Sequence, residues 1–405
     1  MLEPLVPPAT IGMLGGGQLG RYALMAASAM GYRTIVLDPD PTAPAAVHAN
    51  QHLVAPYDDP TALARLAAEC DVITTEFENP PADALNLLAA TTRVAPGSDA
   101  VAIAQDRILE KRFLADHGFP VGPFIALDET SDSPNDGHEH EHDARLAKIV
   151  SHGAVVKSAR MGYDGKGQHR VSSVPMMHEA VDAMGGVAVV VESLLDLRTE
   201  LSVLVARTVD GHIKTWPVAE NMHVDGILDV SVVPARVDAA LKARSVEMAT
   251  AIAKALRYVG VLAVEIFVVA DQHGEDTLLV NELAPRPHNS GHWTLDASVT
   301  SQFEQQVRAV CGVGLADTAM TAPAVAMVNL LGDLWFSAGA GTAPVEPNWA
   351  SVLADPAATL HLYGKSEPRP ARKMGHITVT AATPDAAEQR ARRLRIALSR
   401  PIQTS

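Results

Sequence analysis

The stretch Val261–Trp293, VLAVEIFVVADQHGEDTLLVNELAPRPHNSGHW, contains two apolar segments separated by a short polar one. The apolar segments predict two strands, and the polar residues between them predict a turn. If the turn is centred on His273–Gly274, Val269 pairs with Leu278 and Glu265 lies opposite Glu282. The stretch therefore predicts an antiparallel hairpin in which two acids face each other.

Two facing acids in an apolar hairpin carry an electrostatic cost. Facing residues lie about 4.5–5.5 Å apart at Cβ, where like charges destabilise the pair, and burying an ionised carboxylate adds to the cost. A divalent cation removes both costs, and Mg²⁺ bound by carboxylates and phosphate oxygens is the usual form of a nucleotide triphosphate site. We therefore predict that Glu265 and Glu282 bind Mg²⁺. The alternative is a solvated hairpin with two exposed acids.

Composition sets limits on the class of protein. A chain of 405 residues with 47% hydrophobic and 20% charged residues is expected to form two or three soluble domains. The net charge of -15 argues against nucleic-acid and membrane partners, which require a basic face. The two cysteines, Cys70 and Cys311, offer no disulfide framework, and the N-terminus does not resemble a signal peptide. We expect a reduced, cytoplasmic protein.

The order of predicted elements indicates an α/β fold. A strand at Thr10–Leu14, a helix at Gln18–Ala29 and a strand at Arg33–Asp38 form a β–loop–α–β unit, hence a parallel sheet. After a turn at Pro96–Ser98, a helix is expected to begin near Asp106. Predicted domains cover residues 1–104, 105–315 and 316–405, the last being a small mixed domain. The His-rich segment Ser131–Asp143 is predicted to be a solvated loop, a metal-binding tract being the alternative.

The N-terminal glycines Gly15, Gly17 and Gly20 form a G-x-G-x-x-G motif between a strand and a helix, and Asp38 ends the next strand. This pattern is typical of dinucleotide binding. The loop could instead hold a sugar phosphate at the helix N-terminus, or could serve only tight packing between the strand and the helix.

A second glycine-rich segment, GYDGKGQ at Gly162–Gln168, follows the strand that ends at Lys157. A Lys at the end of a buried strand is costly unless it meets an anion. The backbone N–H groups of the loop and Lys166 can fold over phosphates. The alternative is a plain hairpin turn.

Three further segments are candidates for ligand contacts. The backbone at the end of the strand in Val187–Leu195 could bind an adenine ring, with Glu200 reaching a ribose hydroxyl. The loop after the acidic hairpin, which carries Arg286 and His288–Ser290, is dense in polar side chains. The basic cluster of Lys365, Arg369, Arg372 and Lys373 is a candidate anion clamp, because Arg binds phosphate through two parallel hydrogen bonds.

Together these motifs resemble the ATP-grasp enzymes, and among them the 5-(carboxyamino)imidazole ribonucleotide synthases of purine biosynthesis. The motifs that carry the resemblance span nearly the whole chain: GGGQLGR (15–21), TEFEN (75–79), QDR (105–107), GYDGKGQ (162–168), ENMHVDGIL (220–228), NELAPRPHNSGHW (281–293) and GKSEPRPARKMGH (364–376). The resemblance implies a central ATP-grasp domain of two subdomains and a ligase that uses ATP and bicarbonate to carboxylate aminoimidazole ribonucleotide. It also implies a homodimer.

The resemblance also assigns roles to residues at matching positions. ATP contacts are implied for Arg107, Lys157, Gly162, Tyr163, Asp164, Gly165, Lys166, Gly167, Gln168, Glu192, Ser193, Leu194, Leu195, Glu200, His223, Asn281 and Glu282. Contacts with the nucleotide substrate are implied for Gly17, Gln18, Glu76, Tyr163, Arg286, His288, Asn289, Ser290, Lys365, Arg372 and Lys373. The resemblance implies catalytic roles for three residues, Asp164, Lys365 and Lys166. Asp164 would act as the base for the attacking amine, and Lys365 would stabilise the carboxylate or carbon dioxide.

Two features depart from the family pattern. Position 166 is Lys where many relatives have Arg, which weakens bidentate anion binding, and the His-rich insert has no clear counterpart. Other functions remain open at this point: another ATP-grasp carboxylate–amine ligase, an NAD(P)-dependent dehydrogenase built on the N-terminal glycines, and a nucleotide sensor without turnover.

Overall fold

The computed structural model describes residues 3–128, 139–162, 167–271, 273–336 and 343–398. Twelve α-helices lie within these residues: α1 Gln18–Ala29, α2 Pro60–Glu69, α3 Ala82–Ala89, α4 Ser98–Gln105, α5 Arg107–Asp116, α6 Glu139–Ser151, α7 Val174–Ala183, α8 Ala239–Ala255, α9 Thr294–Ala297, α10 Gln302–Cys311, α11 Ala350–Leu353 and α12 Pro384–Leu398. None of these described helices combines the length and the apolar character that a bilayer span requires.

Eighteen strands accompany the helices in the same ranges: β1 Thr10–Leu14, β2 Arg33–Leu37, β3 Gln51–Leu53, β4 Val72–Thr75, β5 Arg93–Val94, β6 Phe124–Leu127, β7 Ala154–Ser158, β8 Gln168–Val171, β9 Val189–Ser193, β10 Leu197–Arg207, β11 Ile213–Thr215, β12 Ala219–Val224, β13 Ile227–Val233, β14 Gly260–Ala270, β15 Asp276–Ala284, β16 Ala324–Leu331, β17 Ala358–Leu362 and β18 Lys373–Ala381. The predicted α/β fold class is confirmed.

The N-terminal part forms a five-stranded sheet in the order β3-β2-β1-β4-β5. All four strand pairings in this sheet are parallel. The strands β1 and β4 are almost wholly buried, as expected for a parallel sheet covered on both faces. The β1–α1 turn therefore lies at the carboxyl edge of the sheet, where such folds bind ligands.

Two more sheets form the rest of the molecule. A four-stranded sheet has the order β6-β9-β7-β8, and a larger sheet of nine strands has the order β15-β14-β10-β12-β13-β16-β18-β17, with β11 paired to β10. Strand β13 pairs with β16, so the strands that follow residue 316 continue the central sheet. Strand β7 ends beside Lys157, and β14 and β15 carry the two acids.

The hairpin of β14 and β15 confirms the pairing of Glu265 with Glu282 but not the whole predicted register. Near the turn Val269 pairs with Thr277, and Leu278 pairs with Val268, so the predicted Val269–Leu278 pair is wrong. The register shifts between Glu265 and Ile266, because Asn281 has no partner across the strand. A β-bulge of this kind changes the direction of side chains beside functional sites. Here it places Glu265 and Glu282 directly opposite each other.

Two local predictions need correction. Residues 98–105, of which the start was predicted to be a turn, form the helix α4 before the helix that begins at Arg107. The segment predicted as a loop at 131–143 lies partly outside the described residues, and its last five residues belong to helix α6. Alternating His and acid residues show no apolar period from which a helix can be predicted, and α6 continues into the apolar residues Leu146, Ile149 and Val150, which are buried.

Candidate functional site

A cleft of about 1060 Å³ lies between the four-stranded sheet and the large sheet, and the N-terminal part closes one side. Residues predicted to bind ligands that line it are Gln18, Glu76, Arg107, Lys157, Gly162, Gly167, Gln168, Glu192, Ser193, Leu194, Leu195, Glu200, His223, Glu265, Asn281, Glu282, Arg286, His288, Asn289 and Lys373. Residues Tyr163, Asp164, Gly165 and Lys166 lie outside the described residues.

Helix α5 places a cation against the acidic pair. Asp106 caps the helix by accepting hydrogen bonds from the backbone N–H groups of Ile108 and Leu109. Arg107, in the first turn, donates to Glu282 at 2.8 Å and to the carbonyl oxygen of Gly162 at 3.4 Å. Burial acts to lower the pKa of the Arg107 guanidinium, whereas the negative charge of Glu282 acts to raise it. The net result is a raised pKa. The cation therefore links the acidic hairpin to the start of the glycine loop.

The pKa values of the two facing acids are shifted in opposite directions. Burial, reinforced by the negative charge of Glu282, raises the pKa of Glu265 to about 8. Burial also acts to raise the pKa of Glu282, but the charge and the hydrogen bond of Arg107 lower it. Glu282 thus has Arg107 as its counter-ion, whereas burial and the charge of Glu282 disfavour the ionised form of Glu265. A divalent cation would supply the missing positive charge, so the donor set fits the predicted Mg²⁺.

His288 contacts the acidic pair from the loop that follows β15. Its Nδ1 accepts a hydrogen bond from the backbone N–H of Ser290 and lies 2.9 Å from the Ser290 hydroxyl. The proton of the neutral ring is therefore on Nε2, which lies 3.4 Å from Glu265 Oε1. Burial lowers the pKa of His288 well below its ordinary value, which keeps the ring neutral. A neutral His288 therefore lies beside Glu265 without repelling a metal cation.

A cationic cluster lies near the acids. Lys157 Nζ lies 3.1 Å from Glu192 Oε1, and Lys111 Nζ lies 3.4 Å from the other oxygen of the same carboxylate. Burial alone would raise the pKa of Glu192, but the two ammonium groups lower it to about 2. Two cations share one acid, so this cluster keeps excess positive charge that suits a phosphate.

Lys111 and Glu110 were missed by the sequence reasoning. Lys111 is 1% exposed and also donates to the carbonyl oxygen of Asn281, in the β15 bulge, at 2.9 Å. Glu110 is equally buried, accepts from the N–H of Leu283, and has a pKa raised to about 8 by burial. The sequence contains a pattern that could have indicated them: Arg107, Glu110 and Lys111 stand at i, i+3 and i+4 and therefore share one helical face.

Replacing Lys111 by Met is expected to lower the free energy of unfolding by about 1–3 kcal/mol, because the carbonyl oxygen of Asn281 loses its donor and Glu192 keeps only Lys157 as a counter-ion. Chemical denaturation measures the change. The control is Lys254→Met, an exposed position in α8, where the change should stay within about 0.5 kcal/mol. A Lys111→Met protein as stable as the wild type would contradict a structural role for this ion pair.

The candidate adenine and ribose contacts lie at the far end of the cleft. The N–H of Leu194 donates to the carbonyl oxygen of Gly153 at 2.9 Å and that of Ser193 donates to Pro123 at 3.0 Å, which holds the chain after β9 in place. Glu200, on β10, lies 2.6 Å from Nδ1 of His223, on β12. Burial acts to lower the pKa of His223, but the hydrogen bond to Glu200 and the charges of Glu200 and Glu265 together outweigh it, so the pKa is raised.

The N-terminal glycine loop uses its N–H groups within the protein. Gly16 donates to Asp38 at 2.6 Å, and Gly17 and Gly20 donate to the two oxygens of Glu76 at 2.9 and 3.1 Å. Asp38 also accepts from the Tyr57 hydroxyl at 2.7 Å. Asp38 is therefore engaged where a dinucleotide site requires it to face a ribose. These bonds argue against the dehydrogenase interpretation and against a phosphate bound by these N–H groups.

Four of the residues predicted to contact the substrate do not line the cleft: Gly17, Ser290, Lys365 and Arg372. Ser290 is 1% exposed, and its hydroxyl accepts a hydrogen bond from Ser202 at 2.8 Å. Ser290 therefore positions the His288 ring through the contact with Nδ1. Lys365 donates to the carbonyl oxygen of Lys373 at 2.8 Å. Arg369 and Arg372 both bind Glu367, through its carboxylate and its carbonyl oxygen. Of the predicted anion clamp, Lys373 alone lines the cleft.

Arg286 and Glu76 connect the N-terminal part to the cleft. Arg286 forms an ion pair with Glu78. Burial lowers the pKa of Arg286 to about 10, an effect that the charge of Glu76 partly offsets. Burial raises the pKa of Glu76, although the glycine N–H groups oppose the change. This side of the cleft therefore offers both a cation and hydrogen-bonding acids.

Known proteins match the chain over most of its length. Three family models match: the ribonucleotide synthetase preATP-grasp domain at residues 8–105, the ATP-grasp domain at 112–303 and the phosphoribosylaminoimidazole carboxylase C-terminal domain at 325–390. The N5-carboxyaminoimidazole ribonucleotide synthase of Brucella melitensis is 43% identical over 92% of this chain and 97% of its own. That of Bacillus subtilis is 41% identical over 92% of each chain.

Solved structures agree with these relatives. An ADP complex of an N5-carboxyaminoimidazole ribonucleotide synthetase superposes with a TM-score of 0.86 at 37% identity, over 98% of both chains. The enzyme of Aspergillus clavatus, in complex with ADP and 5-aminoimidazole ribonucleotide, superposes with a TM-score of 0.82 at 29% identity, over 97% of this chain and 99% of the other. Sequence, fold and the arrangement of motifs around one cleft agree, and the chain belongs to the family of N5-carboxyaminoimidazole ribonucleotide synthases.

Proposed function

We propose that this protein is an ATP-dependent carbon–nitrogen ligase that carboxylates the exocyclic amine of 5-aminoimidazole ribonucleotide with bicarbonate, releasing ADP and phosphate, in purine biosynthesis. The observation that carries the proposal is the meeting, in one cleft, of a facing acid pair and a cluster of buried cations. The same cleft reaches the polar loop at Arg286–Asn289. Relatives of the same family bind ADP and 5-aminoimidazole ribonucleotide, which supports both substrates here.

Different residues of the chain would contribute metal binding and charge neutralisation to phosphoryl transfer. Glu265 and Glu282 would hold Mg²⁺, which when bound neutralises charge on the phosphate oxygens. Lys157, which lines the cleft, would contact the phosphates, and Arg107 would balance the charge of Glu282 as ligands enter. Positioning and charge neutralisation account for most of the catalysis that phosphoryl transfer requires.

The acceptor would bind on the N-terminal side of the cleft. Arg286 and Lys373 are cations that suit its phosphate, and Gln18, Glu76 and Asn289 offer hydrogen bonds. Asp164 would take the proton from the amine as it attacks carboxyphosphate, and Lys365 would need to turn from Lys373 to reach the transferred group. The loop at 162–168 would exclude water, because carboxyphosphate hydrolyses readily.

Three further features belong to the same proposal. The chain is divided at residues 1–104, 105–315 and 316–405, into a preATP-grasp domain, an ATP-grasp domain and a C-terminal domain that completes the substrate site. The enzyme acts in the cytoplasm as a homodimer. The family models that match at residues 8–105, 112–303 and 325–390 support the division into three domains.

An isotope experiment tests the proposed route through carboxyphosphate. When bicarbonate labelled with ¹⁸O is turned over with ATP and 5-aminoimidazole ribonucleotide, one labelled oxygen should appear in the released phosphate, because a bicarbonate oxygen attacks the γ-phosphorus and stays bonded to it. Mass spectrometry of the phosphate measures the label, with a reaction in ¹⁸O-water as the control. Phosphate labelled from water instead of bicarbonate would contradict the route.

A further inference from the structure

Two buried asparagines form a closed hydrogen-bonded pair at the polar loop that follows β15. Asn289, in this loop, donates through Nδ2 to Oδ1 of Asn329 at 3.0 Å, and Asn329, on β16, donates through Nδ2 to Oδ1 of Asn289 at 2.6 Å. Asn289 lines the cleft, whereas Asn329 does not and is 1% exposed. The pair therefore connects a residue of the proposed acceptor site to the C-terminal part of the chain.

A second hydrogen bond fixes the orientation of the Asn329 amide. Nδ2 of Asn329 also donates to the carbonyl oxygen of Leu228, near the start of β13, at 2.7 Å. An amide turned by a half rotation would place its own oxygen against this carbonyl oxygen and leave buried acceptors without donors, which costs about 1–3 kcal/mol. The backbone at Leu228 therefore determines which end of the Asn329 amide is the donor.

The orientation of Asn329 in turn fixes the amide of Asn289. Because Oδ1 of Asn329 can only accept, it must face Nδ2 of Asn289, and a turned Asn289 amide would place nitrogen against nitrogen and oxygen against oxygen. The pair uses one N–H group and one lone pair of Asn289, so its other N–H group and a second lone pair remain for a ligand. The position of this remaining donor is thus set before a ligand enters.

A different residue holds the backbone of the same loop. Gln302, at the start of α10, is 0% exposed. Its Oε1 accepts from the N–H of His288 at 2.8 Å, and its Nε2 donates to the carbonyl oxygen of His288 at 2.8 Å. These two bonds hold the main chain immediately before Asn289. Loss of Asn329 should therefore release the Asn289 side chain while the loop keeps its path.

We propose that Asn329 is a positioning residue for the acceptor: it holds the Asn289 amide in one orientation, so that Asn289 presents an N–H group to a hydrogen-bond acceptor of the ribonucleotide. The inference rests on the proposed function and deepens it, because it gives the C-terminal part of the chain a specific role in the acceptor site. Preorganisation of this kind reduces the entropy lost on binding, so Asn329 acts on the affinity for the ribonucleotide and not on that for ATP.

Replacement of Asn329 by Leu, which has the same branched shape without hydrogen-bonding groups, tests the inference. The KM for 5-aminoimidazole ribonucleotide should rise about tenfold, the effect of one lost hydrogen bond, whereas the KM for ATP should stay close to the wild-type value. Asn329→Thr should behave alike, because a hydroxyl can donate to Leu228 but cannot form the two-bond pair. Circular dichroism of each variant confirms folding.

The matched control is Gln305→Met, which also removes a buried amide. Gln305 is 0% exposed and does not line the cleft, and its amide exchanges two hydrogen bonds with the main chain of Ala316. This replacement should lower the melting temperature and leave both KM values unchanged, because it removes hydrogen bonds that have no connection to Asn289.

A double-variant cycle separates positioning from a general structural effect. Asn289→Ala alone should raise the KM for the ribonucleotide, and adding Asn329→Leu should cause no further rise, because Asn329 acts through Asn289. A wild-type KM in the folded Asn329 variants, effects that multiply in the double variant, or failure of both Asn329 variants to fold would overturn the inference and leave the proposed function intact. A wild-type protein that does not bind the ribonucleotide in calorimetry would overturn both.

Discussion

Replacing Glu282 by Gln is expected to lower turnover on the order of 10²–10³-fold, the range seen when a group that stabilises transition-state charge is removed. Glu282 faces Glu265 and binds Arg107 at 2.8 Å, so its loss removes a proposed metal ligand and leaves Arg107 without its partner. Steady-state rates at saturating ATP measure the effect, and titration with Mg²⁺ should show weaker binding of MgATP.

The matched control for this change is Glu275→Gln, at the exposed turn of the same hairpin. It removes one negative charge from the same element, and turnover should stay close to that of the wild type. Glu265→Gln should resemble Glu282→Gln in activity. Turnover of Glu282→Gln near the wild-type rate would contradict the role of the paired carboxylates.

Replacing Asp164 by Asn is expected to lower carboxylation of 5-aminoimidazole ribonucleotide by about 10²–10⁴-fold, the usual contribution of a positioned general base. ATP binding should persist, because an amide of the same size fills the loop. Asp164 lies outside the described residues, but the residues on either side of the loop, Gly162 and Gly167, line the cleft. Fluorescence or calorimetry measures ATP affinity, and product formation measures carboxylation.

The control for the base is Asp182→Asn, an exposed acid on helix α7 of the same subdomain, which should behave like the wild type in both assays. A collapse of ATP affinity in Asp164→Asn, with carboxylation restored at saturating ATP, would assign Asp164 to nucleotide binding and not to proton transfer.

The facing acids could be predicted from the sequence because strand period and turn position together determine which residues face each other. The bulge at Asn281 could not be predicted from the sequence, because it depends on packing against α5, where Lys111 binds the Asn281 carbonyl oxygen. Glu265 lies opposite Glu282, as predicted, because the extra residue in the β15 bulge restores the register that a turn centred on His273–Gly274 implies. The pairs nearer the turn were wrong by one residue.

Other parts of the site depend on contacts that no local pattern reveals. The glycine motif at residues 15–20 predicted close approach of the backbone, and the structure shows such an approach, but to Glu76 and Asp38 instead of a phosphate. Those acids lie 59 and 22 residues away in the sequence, so only the parallel sheet brings them together. The burial of Lys111 likewise requires three separate elements to meet, although its helical face was visible in the sequence.

The proposed reaction is measured by incubating the purified protein with ATP, Mg²⁺ and bicarbonate and following ADP release in the presence and absence of 5-aminoimidazole ribonucleotide. We expect ADP release to rise steeply when the ribonucleotide is added and to match the formation of its N-carboxylated product one for one. ADP release at the same rate with and without 5-aminoimidazole ribonucleotide, or none in either case, would contradict the proposed reaction.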